Sequence, residues 1–87
     1  MIIVIQYKDY NGDYVNYSVL ELNDLEKVAV KLREAIDLSI NQHNYDSGCI
    51  FIEFYKDGEE LSVSGKWAHK FVHTALEIIV AVLEKHP

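Results

Sequence analysis

The feature that most constrains this chain is a pair of turn dipeptides, Asn11-Gly12 and Asp57-Gly58, each set between β-rich runs and each followed by a helical stripe. Asn-Gly and Asp-Gly supply the two positive-φ positions of a type I′ turn, whose twist matches that of paired antiparallel strands. Before the first turn, residues 2–7 are apolar and β-branched; after it, Val15, Tyr17 and Val19 alternate with Asn16 and Ser18, the pattern of a half-buried strand. The second turn repeats this, with a strand over 49–55 ahead of it and a short one over 61–64 behind it.

Helical periodicity follows each hairpin. Asn23 is placed as an N-cap with Glu26 three residues on, and Leu25, Val28, Ala29, Leu32, Ile36 and Ile40 keep a helical stripe ending near Asn41. A last helix is expected to open at Ser64 or Gly65. Ala68, Phe71, Val72, Ala75, Leu76, Ile79, Val82 and Leu83 form its apolar face, with Trp67 as a core anchor at its start. The order is β-β-α-β-β-α: one α+β domain over 1–87, built of two ββα units at 1–43 and 48–87. A mass of 10.0 kDa allows one domain, exposing roughly 5,200 Å² when folded.

Two-residue turns would set Lys8 opposite Val15, Val4 opposite Val19, Lys56 opposite Glu59 and Ile52 opposite Val63. One sheet face then collects Ile2, Val4, Val15, Tyr17, Val19, Ile50, Ile52, Phe54, Leu61 and Val63. The other collects Ile3, Ile5, Tyr7, Tyr14, Cys49, Phe51 and Tyr55. The first and third strands are apolar on both sides and are placed centrally, giving a four-stranded antiparallel sheet of order 2-1-3-4. With both helices on the first face, the second stays open as a Tyr- and Phe-rich stripe. The competing arrangement puts one helix on each face.

The net charge of −6 is concentrated in residues 1–24 and 49–65, each at −3. Such a field repels nucleic-acid backbones and attracts a basic protein surface. The chain holds a single cysteine, so no disulfide staples it, which fits a reducing compartment. With no basic leader and no apolar run near the ~20 residues a membrane helix needs, the reading is cytoplasmic, with no membrane partner.

Constellations that carry chemistry are weak. His69, His73 and Glu77 fall at i, i+4 and i+8 of the expected last helix, a spacing that lines up metal ligands, but Lys66 and Lys70 would repel a cation. His43, Tyr45 and Asp46 share the turn-rich loop before Cys49, yet the surroundings are acidic, which does not favour a reactive thiolate. The glycines are isolated turn residues and form no phosphate loop. No enzyme activity, cofactor, metal or nucleic-acid partner is expected. The sequence points to a small acidic protein-binding module of the inhibitor or immunity type that neutralises a basic partner. Tyr7, Tyr14, Phe51 and Tyr55 are its anchors, with Asp9, Asp13, Asp57, Glu59 and Glu60 as steering charges. The rival readings are a homodimer through the open face or edge strand with a structural or small-ligand role, a metal-binding protein, and a DNA mimic.

Overall fold

The computed structural model describes residues 1–9, 11–42, 50–63, 67–69 and 71–87, with the backbone alone at 41, 42 and 67–69. In chain order the elements are β1 (Ile2–Lys8), β2 (Tyr14–Glu21), α1 (Leu25–Asp37), a π-helical turn (Leu38–Gln42), β3 (Ile50–Lys56), β4 (Glu59–Glu60), β5 (Trp67–His69) and α2 (Val72–Lys85). The sheet is antiparallel with order β2-β1-β3-β4, the arrangement expected from strands 1 and 3 being apolar on both sides.

The second turn forms as its sequence predicts. Asp57 and Gly58 both take positive φ (53° and 81°), Lys56 faces Glu59, and the Leu61 N–H donates to the Phe54 carbonyl at 2.8 Å. The first turn does not. Of Asn11 and Gly12, Gly12 alone is positive (φ 82°), the Asp9 N–H donates to the Asp13 carbonyl, and the Gly12 N–H to that of Asp9. The link spans three residues rather than two, held by the Asp9 carboxylate, which accepts from the N–H groups of Asn11 and Asp13 at 2.9 and 3.0 Å. The register near the turn slips by one, so Lys8 faces Tyr14 and Tyr7 faces Val15. A bulge at Tyr17 absorbs the slip, and Ile5 with Ser18 and Val4 with Val19 regain the expected pairing.

The bulge and the β1–β3 register correct the expected faces. Ile3 is abreast of Phe54, Ile5 of Ile52 and Tyr7 of Ile50, so the odd residues of β1 share a face with the even residues of β3. Ile3 and Ile5, expected on the open side, are 0% exposed; Ile2 and Val19, expected in the core, are 41% and 62% exposed. The core joins Ile3, Ile5, Ile50, Ile52 and Phe54 to Val28, Leu32, Ala35 and Ile36 of α1 and to Ala75, Ile79 and Val82 of α2. Both helices therefore pack on one sheet face, as expected, but on the opposite parity of β1.

Two helix starts also move. Asp24, not Asn23, caps α1, accepting from the N–H groups of Glu26 and Lys27 at 3.0 and 3.4 Å. Helix α2 begins only at Val72, because residues 67–69 form β5 along the N-terminal half of β3, pairing with Ile50 and Phe51. The fourth strand, expected over 61–64 with Ile52 opposite Val63, is instead Glu59–Glu60 and pairs with Tyr55 and Lys56; a central strand's remaining backbone groups need partners, which β5 supplies. Ser39, buried in the π-helical turn, donates to the Lys8 carbonyl at 3.1 Å and ties this turn to the end of β1.

Candidate functional site

The sheet face opposite the helices is built row by row from the ladder. At the end bearing the second turn, Glu21, Ile2, Tyr55 and Glu60 stand abreast on β2, β1, β3 and β4. Val19, Val4 and Glu53 make the next row, then Asn16, Gln6 and Phe51, then Tyr14 beside Lys8. Ile2 and Val19 are exposed, while Val4, Tyr14, Phe51 and Tyr55 are half-buried against their neighbours.

A polar network crosses the middle of this face. The Gln6 side-chain N–H₂ donates to Asn16 Oδ1 at 2.7 Å and to Glu53 Oε1 at 3.4 Å, and the Tyr55 hydroxyl donates to Glu53 Oε2 at 3.3 Å. Both oxygens of the Glu53 carboxylate are thereby engaged, which fixes its position on a rigid strand. Partial burial pushes the Tyr55 hydroxyl above its ordinary value, and the carboxylates of Glu53 and Glu60 push the same way. At one end Tyr14 and Phe51 meet with ring centroids 5.5 Å apart, and the Lys8 ammonium lies 5.5 Å from the Tyr14 ring. At the other end the N-terminal ammonium is 3.3 Å from Glu21.

Of the anchors named from sequence, Tyr14, Phe51 and Tyr55 lie on this face. Tyr7 does not; it is half-buried on the helix side, edge-on to Tyr17 at 6.1 Å. Glu60 joins the face, whereas the Asp9 carboxylate holds the first turn, Asp57 occupies a positive-φ turn position, and Glu59 stands beside Lys56 on the helix side. Asp13 is exposed beyond β1. Because β1 and β3 are antiparallel, the two turns sit at opposite ends of the sheet, roughly 20 Å apart along the strands. Their charges do not form one patch. The acidic end of the face is made instead by Glu21, Glu53 and Glu60. A signal for this parity was present in the sequence: Gln6, Lys8 and Glu53, the polar positions of β1 and of the interior of β3, point away from the helices, while Lys56 on the helix-side parity is the last residue of its strand.

The i, i+4, i+8 line of His69, His73 and Glu77, rejected as a metal site from sequence, does not form on one helix. His69 lies in β5, while His73 and Glu77 lie one turn apart on α2 beside a shallow groove shared with Leu76 and Val80. Among the described residues, no three His, Cys, Asp or Glu side chains converge as metal ligands. His43, Tyr45, Asp46 and Cys49 lie outside the described residues. No helix among the described residues is long and apolar enough to cross a membrane.

On the helix side, the Tyr17 hydroxyl donates to Glu34 of α1, and the Lys31 ammonium lies 3.3 Å from the same carboxylate. The Tyr17 bond, then Lys31, hold the Glu34 carboxyl below its ordinary value; the same bond and partial burial raise Tyr17. This cluster anchors the bulge to α1 and is structural. No family model, no curated protein and no solved structure matches the chain.

Proposed function

We propose that this is a protein-binding module whose open sheet face docks a basic surface of another protein, as small acidic inhibitors and immunity proteins do when they neutralise a basic partner. One observation carries the reading. The face turned away from both helices presents Ile2, Val4, Val19 and Tyr55 among the carboxylates of Glu21, Glu53 and Glu60. Exposed aliphatic side chains on a rigid sheet gain free energy when covered, and a carboxylate rim steers a basic partner and rejects acidic ones. Tyrosine suits such a site because it buries large area while its hydroxyl keeps a polar partner, as Tyr55 does with Glu53.

The test is affinity capture from the native host with wild type, Val19→Ser and Glu21→Lys as paired baits. A basic protein should be retained at low salt by wild type and reduced by both substitutions, with association falling as ionic strength rises. A captured partner indifferent to both substitutions would refute the reading. A homodimer through β2 has one observation in its favour, the eight-residue length of this edge strand. The bulge at Tyr17 interrupts that edge. Light scattering at high concentration separates the two: a monomer retains the first reading and removes the second.

A further inference from the structure

We infer that the partner element seated on this face is a basic amphipathic helix, lying along the strands over Ile2, Val4 and Tyr55 with its cationic flanks reaching Glu21 on one side and Glu60 on the other. The inference rests on the reading of the face as a docking site for a basic protein, and it names the element that docks.

The width of the face carries the argument. Glu21, Ile2, Tyr55 and Glu60 are neighbours on four successive strands. At about 4.8 Å per strand, the backbones bearing the two outer carboxylates are about 14 Å apart. A helix with its side chains is about 10–12 Å across, so one helix fits between them. Its apolar stripe would cover the central pair, Ile2 and Tyr55, and the polar positions beside the stripe would point at the two acids.

The charge distribution orients this helix and selects its chemistry. Lys8 lies at the far end of the face over Tyr14, whereas Glu21, Glu53 and Glu60 occupy the two rows that hold Ile2, Val4, Val19 and Tyr55; the N-terminal ammonium on Glu21 offsets one of these three charges and leaves the rows acidic. A helix centred on those rows covers Glu53, whose carboxylate is pinned by Gln6 and Tyr55 and stays where it is. A covered carboxylate is tolerated only beside a cation, so the helix carries Lys or Arg within reach of Glu53 as well as on its flanks. A second copy of this chain is a poor occupant, because the rows of each copy carry three carboxylates against the one N-terminal ammonium held by Glu21, so that among the described residues like charges would face each other. Strand addition at β2 meets the bulge at Tyr17.

The experiment is an amide chemical-shift titration of the full chain with three synthetic peptides of about 18 residues, long enough to form a helix. One is Leu/Lys in helical period, one has the same composition in strict Leu-Lys alternation, and one is Leu/Glu in helical period. The helical basic peptide should shift the amides of Ile2, Val19, Glu53 and Tyr55 and bind at least about tenfold more weakly to a Glu21→Lys/Glu60→Lys variant. Equal or tighter binding of the alternating peptide at the same amides would overturn the helix while leaving a basic docking face. Equal binding of the Leu/Glu helix would overturn both readings. If no basic peptide moves these amides, the helix inference fails, and the capture experiment above decides whether the docking reading survives it.

Discussion

Replacing Ile5 by alanine should destabilise the domain far more than replacing Ile2, three residues away on the same strand. Ile5 is 0% exposed between Ser18 and Ile52, with the helices above it. Truncation removes three carbons at about 0.8 kcal/mol each, and the cavity left behind brings the total to about 2–5 kcal/mol. Ile2 is 41% exposed on the open face, so the same truncation loses only part of the transfer term, opens no cavity, and should cost about 1 kcal/mol. With a urea m-value near 1 kcal/mol/M for a domain of this size, the midpoint should fall by about 2 M or more for Ile5→Ala and by about 1 M or less for Ile2→Ala. Total stability at this length is roughly 4–13 kcal/mol, so Ile5→Val, at about 1 kcal/mol, keeps the comparison measurable if the alanine variant is too weak. Circular dichroism in urea gives both midpoints. A larger loss for Ile2→Ala than for Ile5→Ala would reverse the parity of β1, move Ile3 and Ile5 to the open side, and dissolve the docking face as described.

Three further outcomes follow from local geometry. Asp24→Ala should cost about 1 kcal/mol through loss of the α1 cap, whereas Asn23→Ala should stay within about 0.5 kcal/mol; paired thermal melts distinguish them. Gly58→Ala should cost about 1–2 kcal/mol. A Cβ at Gly58 meets nothing within 4 Å, so the loss is purely conformational and D-alanine introduced by chemical synthesis should remove it. The Glu34 carboxyl, held below its ordinary 4.5 first by Tyr17, contributes stability that is present above that value and lost as pH falls through its lowered one. Tyr17, raised above 10, contributes stability that is present below 10 and lost as pH rises through its raised value. Tyr17→Phe should therefore flatten both limbs of the stability–pH profile, and unchanged limbs would remove the pair from the account.

The strand order was legible because strands 1 and 3 are apolar on both sides, and the second turn because Asp57-Gly58 leaves few alternatives. Those same doubly apolar strands concealed which parity faces the helices: Ile2, Val4, Ile3 and Ile5 are equally good core residues by type. Gln6, Lys8 and Glu53 tip the balance one way, and Lys56, at the end of its strand, points the other. Asn11-Gly12 misled because a type I′ turn and a three-residue link both welcome glycine at the same place, and the deciding group, the Asp9 carboxylate, is not part of the dipeptide. The late start of α2 was hidden for a different reason. Whether residues 67–69 join a helix or a strand depends on how much of β3 remains unpaired, a property of the sheet and not of those residues. For the candidate face, Tyr14, Phe51, Tyr55 and Glu60 were readable, while Ile2, Val4, Val19, Glu21 and Glu53 emerge only once the register is known.

The bulge at Tyr17 links the first turn to the surface proposed for binding. A three-residue link shifts β2 by one, and with no correction that shift would persist along the strand, setting Tyr17 opposite Ile5 and Val19 opposite Ile3, both facing the helices. Such an arrangement would bury valine and expose Ser18, but it would also turn Leu20 outward opposite Ile2. The observed chain does the reverse, turning Ser18 inward and leaving Val19 62% exposed, while Tyr17 reaches across to Glu34. A register that accepts a less favourable burial at two positions needs a compensating gain. That gain is visible in the Leu20–Ile3 pairing, which turns a leucine inward in place of the valine, and in the Tyr17–Glu34 bond, so Val19 is left on the outer face as a consequence of the bulge.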